Sequence, residues 1–339
     1  MRVLFLVGNG FDCNLGLKTT YKAFYPYYIN RFPDDRLANS IKNDYEKWSD
    51  LELGLGAYLS EIDKSEIDKF YNEKGNIETC LTEYLINEKK RISFGVGLKE
   101  EFLKNLQSLP KELSRKDARD MSNWINSVSD SIHYGFISFN YTNILSMIVD
   151  LPYKGTPILS HTSKQRGFND VLDKPIYIHG SLEDRIILGV NDKTQIKNEL
   201  IANDPNESAF MIKNDLNNQI GELRWEDAKA SIDNSQYIFV YGMSLGDTDK
   251  NYWKYLYDWL LKKDRIHKLV LCAYTTNTVK LSATDYSRQQ QRYRNQFIKA
   301  TGIKNPDETV LMDIIVVHNP SVFNFSNITL KDEVKKDEK

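Results

Sequence analysis

The stretch MRVLFLVGNGFDCNLGLKTTY at residues 1–21 decides the fold of this chain. Its apolar run from Val3 to Val7 is too short for a helix and stops at a glycine. Such a run is typical of a strand that is buried on both faces of a sheet. The Gly8-Asn9-Gly10 turn allows the backbone to bend tightly and to approach a ligand closely. A helix is predicted to begin near Thr19-Thr20, which can cap it.

This order of strand, glycine turn and helix presents backbone N–H groups to phosphates in many α/β proteins. The short glycine motif is a weak signal alone, because a tight turn without any ligand uses the same residues. Both interpretations of the turn stay open until the rest of the chain is considered.

Further short apolar runs alternate with helical patterns, which is the arrangement of α/β proteins. Strands are predicted at residues 135–139, 176–180, 185–190, 237–241, 268–273 and 312–317. Helices are predicted at about residues 19–31, 142–150, 216–233, 253–261 and 283–300. Because the strand runs are apolar throughout, they are expected to be covered on both faces. The sequence therefore predicts an α/β, Rossmann-like fold with a mostly parallel sheet covered by helices.

Residues 34–130 contain no convincing strand pattern and are predicted to form a helical insertion after the first strand. Glu52 lies in this insertion, and a solvated carboxylate is favoured there over one that points into a cleft. Residues 151–175 are predicted to be a long loop. We expect residues 1–330 to form a single α/β domain, and the charged residues 331–339 to form a disordered tail.

The composition is that of an ordinary folded protein of 339 residues, 41% of them hydrophobic and 27% charged. The net charge of −2 makes a nucleic acid partner unlikely, and the Arg288–Arg294 part of a predicted helix is interpreted as a solvated face. The three cysteines form no CxxC pair, so no metal is expected. No run approaches the roughly 18 apolar residues of a membrane helix. We expect a cytoplasmic protein without a membrane partner.

Four polar motifs directly follow four of the predicted strands. They are GNGFD at residues 8–12, SFNYT at 138–142, IHG at 178–180 and GMSLGDTD at 242–249. In open α/β sheets the ligand crevice lies beyond the carboxyl ends of the strands. We therefore expect the four motifs to line one pocket, although they span most of the chain.

In this order, the motifs resemble those of the AbiH-like abortive infection family of bacterial phage-defence proteins, over about residues 1–260. They resemble more distantly the sirtuin-like NAD-consuming domains. His179-Gly180 matches a pair of those domains directly, whereas Thr142 stands where related NAD-cleaving proteins often carry Asp. The zinc-binding cysteines of the protein deacylases are absent. The resemblance implies a phage-defence effector that hydrolyses NAD to nicotinamide and ADP-ribose, and not a peptide deacylase.

The chemistry of NAD cleavage gives the polar residues distinct expected functions. The amide of Asn140 can orient the ribose or the water, and His179 can accept a proton near neutral pH. These two residues are the predicted catalytic pair. The predicted nucleotide-binding residues, which offer backbone N–H groups, hydroxyls or carboxylates, are Gly8, Asn9, Gly10, Phe11, Asp12, Thr142, Gly242, Ser244, Asp247 and Asp249. Among these, Asp12 is expected mainly to brace its own loop.

Two other functions agree with the same residues. The first is a regulatory module that senses NAD or a related nucleotide without cleaving it, which Thr142 favours. The second is a toxin that acts on nucleic acid through the Arg288–Arg294 helix, which the net charge disfavours. A second copy of the chain or another defence protein is a possible partner in each case.

Overall fold

A central parallel sheet with helices on both faces forms the framework of the protein. The structure is a computed structural model that describes residues 1–262, 264–275 and 282–331. Its strands are β1 Arg2–Val7, β2 Ile92–Phe94, β3 His133–Ser138, β4 Ser160–Ser163, β5 Arg166–Asn169, β6 Val171–Leu172, β7 Ile176–Tyr177, β8 Tyr237–Tyr241, β9 Lys268–Ala273, β10 Ile314–His318 and β11 Ile328–Leu330.

The described α-helices vary from single turns to more than six turns. They are α1 Gly10–Asn14, α2 Tyr21–Arg31, α3 Arg36–Asn43, α4 Leu51–Tyr58, α5 Ile67–Lys89, α6 Leu98–Gln107, α7 Arg115–Ser127, α8 Ile144–Val149, α9 Glu199–Ala202, α10 Pro205–Ser208, α11 Lys213–Gln219, α12 Arg224–Asp233, α13 Lys250–Leu261, α14 Ala283–Thr301 and α15 Glu308–Leu311. Short 3₁₀ turns occur at Leu59–Glu61, Lys64–Glu66, Leu109–Glu112, Lys193–Gln195 and Asp247–Asp249. No helix among the described residues has both the length and the apolar character to cross a membrane.

The main sheet has the strand order β10-β9-β8-β1-β3, and both β6 and β7 pair with β3. If the sheet strands are numbered along the chain, this order is that of a doubly wound Rossmann sheet, which confirms the predicted fold class. The direction of winding reverses between β1 and β8. In register, Val7 at the end of β1 lies beside Ser138 of β3 and Tyr241 of β8. The carboxyl ends of these three strands therefore lie level with one another.

Strand β1 is buried on both faces, as its apolar run predicts. Its odd-numbered side chains face a core formed with α6, α7 and α8, where Phe5 stacks on Phe136 at 5.4 Å and on Phe239 at 5.0 Å. Leu4 and Leu6 face the opposite core, which α12, α13 and α14 cover. Each face of the sheet is thus closed by its own layer of helices.

The segment between β1 and β3 is helical except for the short strand β2, which pairs with β11 outside the main sheet. This confirms the helical insertion. Its helices divide between two cores. Helices α6 and α7 cover one sheet face, whereas α3, α4 and α5 form a further core with α2 and with residues 188–211. That further core also contains Tyr141, which follows β3, so it reaches the carboxyl end of the sheet.

Three predicted elements differ from the structure. Residues 185–190 are not a strand, because the chain reverses at Gly180 and leaves the sheet edge; in that segment, only Val190 makes a bridge, to Ile212. The predicted loop at 151–175 contains the β4–β5 hairpin and β6. The predicted helix at 216–233 is two helices, α11 and α12, since Gly221 adopts a φ of +80° between them. Residues 332–339 of the predicted tail lie outside the described residues.

Candidate active site

The four polar motifs follow strands that are neighbours in the sheet. The order β8-β1-β3-β7 places GMSLGDTD, GNGFD, SFNYT and IHG side by side at the carboxyl edge. Motifs that are far apart in the sequence are thus brought together by parallel pairing. Within this edge, the side chains separate into two polar clusters and one large cavity.

The glycine turn packs directly against the turn that follows β8. Gly8 N–H donates to the Tyr241 carbonyl at 2.9 Å, and Gly10 N–H donates to the Gly242 carbonyl at 2.8 Å. Of the N–H groups that the Gly8-Asn9-Gly10 turn was expected to offer to a pyrophosphate, those of Gly8 and Gly10 are thus bonded within the protein. A Cβ on Gly10 would lie 2.5 Å from the Gly242 Cα, so this contact requires glycine. The short helix α1 follows at once, and the predicted helix begins later at Tyr21, capped by Thr20.

Gly10→Ala is expected to destabilise the protein by at least about 1–3 kcal/mol, because the added methyl group must push the two turns apart. Gly75→Ala is the matched control. Gly75 lies inside α5, and a Cβ there would meet no atom within 4 Å. The control should stabilise the protein by about 0.5–1 kcal/mol through helix propensity. Urea unfolding of both variants measures the difference, and equal stability of the two would contradict this account of the turn.

Asp12 forms the first polar cluster and is almost fully buried. Its Oδ1 accepts a hydrogen bond from Asn140 Nδ2 at 3.3 Å, and its Oδ2 accepts one from Thr142 Oγ1 at 2.7 Å. Asp12 therefore braces the motif after β3 as well as Thr19 in its own loop. Burial raises its pKa to about 7, although the hydrogen bonds from Thr142 and Asn140 oppose the increase. A cavity of about 100 Å³ beside this cluster has room for several water molecules.

The raised pKa of Asp12 predicts a specific pH dependence of stability. Between pH 4 and 7 the folded state keeps a proton that the unfolded chain releases, so the free energy of unfolding falls as the pH rises. A pKa of about 7 against 3.8 corresponds to a loss of up to about 4 kcal/mol. Asp12→Asn should make this slope shallower and leave the part that comes from Glu52, whose pKa burial also raises to about 7, whereas the exposed Asp68→Asn should keep the whole slope. A folded Asp12→Asn protein with the slope of the wild type would contradict the assignment.

His179 is the centre of the second cluster. Its Nε2 lies 3.1 Å from Asp249 Oδ1, and its ring packs edge-on against Phe139 at 5.6 Å between centroids. Lys213 Nζ donates to Asp249 Oδ1 at 3.1 Å and to Glu52 Oε2 at 2.9 Å. The hydroxyl of Tyr141 donates to Glu52 Oε1 at 3.1 Å. His179, Lys213 and Glu52 have only 6%, 4% and 5% of their surface exposed.

Charges in the second cluster are set by burial and by one shared amine. Burial and the nearby Lys213 ammonium lower the pKa of His179 to about 4, so the ring is neutral at pH 7. Burial disfavours the charged amine of Lys213, but Asp249 and Glu52 outweigh this and hold its pKa above the ordinary value. Burial raises the pKa of Glu52 to about 7, because the attraction of Lys213 only partly offsets it. The pKa of Asp249 is lowered, since Lys213 and His179 overcome the cost of its burial.

Two members of this cluster were misjudged or missed from the sequence. Glu52 is buried in an ion pair, so the interpretation of a solvated carboxylate is wrong. Lys213 belongs to no sequence motif, and its partner Glu52 is 161 positions away in the chain. The one available signal was the position of Glu52 among the apolar residues of WSDLELGL.

A larger cavity of about 920 Å³ lies over the carboxyl ends of β8, β9 and β10. Gly10, Gly242 and Met243 form part of its wall, next to the point where the sheet reverses its winding. The other predicted binding residues lie outside its lining. Ser244 and Asp247 are exposed, and Phe11 is buried against Phe323. Asn9 donates from Nδ2 to the Thr19 carbonyl at 3.1 Å and lines the smaller cavity.

Each of the two predicted catalytic residues, His179 and Asn140, has one buried polar atom that takes no part in these hydrogen-bond networks. Within the part of the chain that the structure describes, Nδ1 of His179 and Oδ1 of Asn140 have no hydrogen-bond partner. Twelve buried side-chain atoms of the described residues have no hydrogen-bond partner, and these two are distinguished by their position at neighbouring strand ends, where a ligand could bond to them.

Comparison with known families gives one match. The family model for bacteriophage abortive infection AbiH matches residues 4–271. This span covers β1 to β9, and therefore all four motifs together with Glu52 and Lys213. The comparison with curated proteins gives no match.

Proposed function

This chain belongs to the AbiH family of bacteriophage abortive infection proteins, and we propose that it acts in phage defence by hydrolysing NAD to nicotinamide and ADP-ribose. The observation that carries the proposal is the pair of unpartnered buried atoms, His179 Nδ1 and Asn140 Oδ1. One is an acceptor on a neutral imidazole and the other is an amide oxygen. A hydrolase of this kind needs one group to take a proton and another to orient a hydroxyl or a water.

The reaction breaks the bond between the ribose C1′ and the nicotinamide nitrogen, and the nitrogen keeps the electron pair. A water oxygen forms the new bond to C1′, and the released proton goes to His179 Nδ1. Asn140 Oδ1 accepts a hydrogen bond from the water or from a ribose hydroxyl. Phe139 and Trp253, whose rings stack at 6.3 Å, form an apolar wall near His179 that limits access of other water.

The larger cavity suits the remainder of the nucleotide. Its volume of about 920 Å³ lies in the upper part of the range usual for small-molecule sites. It adjoins the reversal point of the sheet, which is where nucleotides bind in folds with this strand order. Its position supports NAD or a related nucleotide as the ligand.

The direct test is incubation of the purified full chain with NAD, followed by chromatographic detection of free nicotinamide and ADP-ribose. Release of both products in equal amounts is the expected result. Bound but intact NAD, detected by equilibrium dialysis with and without phage lysate, would favour the nucleotide-sensing module instead. Absence of both binding and cleavage under each condition would contradict the proposal.

A further inference from the structure

Lys213 is a buried amine that belongs to none of the four motifs. It begins helix α11, while its two carboxylate partners come from the helical insertion and from the turn after β8. Three separate chain segments therefore meet at one ammonium group. A buried amine between the buried carboxylate of Glu52 and the partly buried carboxylate of Asp249 has a large desolvation cost, which only well-placed partners offset.

The distances around His179 Nε2 assign the proton on its ring. Nε2 lies 3.1 Å from Asp249 Oδ1 and 3.4 Å from Lys213 Nζ. The ionised Asp249 can only accept, so the shorter contact requires a proton on Nε2. Lys213 directs its protons to the carboxylates of Glu52 and Asp249, at 2.9 and 3.1 Å. With Nε2 protonated, the lone pair of the neutral ring is on Nδ1.

We propose that Lys213 is a positioning residue for His179: its ammonium bridges Glu52 and Asp249, which holds the Asp249 carboxylate at Nε2 and leaves Nδ1 as the proton acceptor. Glu52 anchors the amine from the side of the insertion, and Tyr141 holds Glu52 in turn. The ring orientation rests on structure alone, whereas the use of Nδ1 as a base rests on the proposed hydrolysis.

The charged groups that face His179 explain why the amine is required. They are Asp249, Lys213 and, further away, Arg224, which is held by Asn217 at 2.8 Å. Asp249 favours the imidazolium, and the two cations disfavour it. Without Lys213, burial would still disfavour the charged ring, but the Asp249 carboxylate would stabilise a second ring proton more strongly, and Nδ1 would be protonated up to a higher pH. Lys213 thus keeps a carboxylate beside the ring without charging the ring.

The first test is a long-range ¹H–¹⁵N spectrum of the full chain labelled at its five histidines, recorded at pH 7. Such a spectrum separates protonated from unprotonated ring nitrogens, and His179→Gln identifies the signals. We expect Nε2 of His179 to be protonated and Nδ1 to be unprotonated. A proton on Nδ1 in the wild type would overturn the proposal, whatever the behaviour of the variants.

The second test compares Lys213→Met with Glu52→Gln, which keeps an acceptor oxygen for the amine. Lys213→Met should raise the titration midpoint of His179 by about 1 to 3 pH units, as expected for removal of a nearby like charge. Glu52→Gln should keep both the tautomer and the low midpoint. An unchanged midpoint in Lys213→Met, or an equal rise in Glu52→Gln, would overturn the proposal. If Lys213→Met does not fold, the wild-type spectrum and the titration of Glu52→Gln still test the proposal.

Kinetics separate the two proposals. If NAD is hydrolysed, the activity of Lys213→Met relative to the wild type should be about tenfold lower at pH 5 than at pH 8. The reason is that protonation of His179, and with it the loss of activity on the acid side, shifts to higher pH in the variant. Spectra as expected together with no nicotinamide release from the wild type would support the positioning by Lys213 and contradict the proposed hydrolysis. If the wild type hydrolyses NAD but its His179 carries the proton on Nδ1, the hydrolysis would be supported and the positioning by Lys213 would be contradicted.

Discussion

His179→Gln is expected to lower kcat for NAD hydrolysis by about 10² to 10⁴-fold, the usual contribution of a positioned proton acceptor. The glutamine is similar in size, and Lys213 still pairs with Asp249 and Glu52 in its absence. The fold should therefore persist, as circular dichroism and urea unfolding would show. His133→Gln is the matched control, because His133 lies at the opposite end of the sheet and its ring bonds only with Asp173 among the described residues. It should retain wild-type activity.

The pH profile separates the functions of His179 and Asn140. The wild-type kcat/KM should be level on the acid side down to about pH 4, since the neutral ring persists to that pH. Asn140→Ala should lose most activity, but its remaining kcat/KM should fall at the same acidic pH as that of the wild type. In cells, the triggered wild type should deplete NAD and stop growth, while both variants should spare NAD. Full NAD depletion by a folded His179→Gln protein would remove the histidine from the mechanism.

Lys213→Met is expected to reduce the free energy of unfolding at pH 7 by about 3–5 kcal/mol, because it leaves the buried Glu52 and the partly buried Asp249 without their cation. Lys74→Met is the matched control. Lys74 is buried to a similar degree, but its partner Glu78 is partly exposed, so the control should cost less than about 1 kcal/mol. Urea unfolding of both variants measures the two costs, and equal costs would contradict the account of the cluster.

The loss in Lys213→Met should also depend on pH. The pKa of Glu52 is already raised to about 7 with the amine present, and removal of the amine can only raise it further. A folded state that binds more protons than the unfolded chain loses stability as the pH rises. The deficit should therefore be smaller at pH 5 than at pH 8. The double variant Lys213→Met/Glu52→Gln should recover part of the deficit at pH 8.

The sheet and its polar edge could be predicted because they depend on local sequence patterns. An apolar run such as Val3 to Val7 indicates a strand buried on both faces, and the topology of α/β folds aligns the strand ends. The same pattern failed at residues 185–190, where the run is apolar but Gly180 turns the chain away from the sheet edge. A strand requires a neighbour, and local sequence does not reveal whether one is available.

The buried ion pairs could not be predicted because each is a contact between distant segments. Glu52 and Lys213 are 161 positions apart, and His179 and Asp249 are 70 apart. A charged residue is usually exposed, so its type alone argues against burial. Burial becomes favourable only when the partner arrives through the tertiary fold. The bonds of Asp12 to Asn140 and Thr142 follow from the β1–β3 pairing, which the residues around Asp12 do not reveal.

The central place of β1 has a consequence for biosynthesis. Both of its neighbours are translated later. The edge that pairs with β3 stays open until residue 133 is made, and the edge that pairs with β8 stays open until residue 237, more than 200 residues after β1. At ordinary ribosomal rates this takes roughly 10 to 50 seconds. During that time an exposed apolar edge is prone to aggregation, which makes early chaperone binding valuable. The same order of synthesis leaves the second polar cluster incomplete in a nascent chain, because Asp249 must leave the ribosome before His179 has its partner.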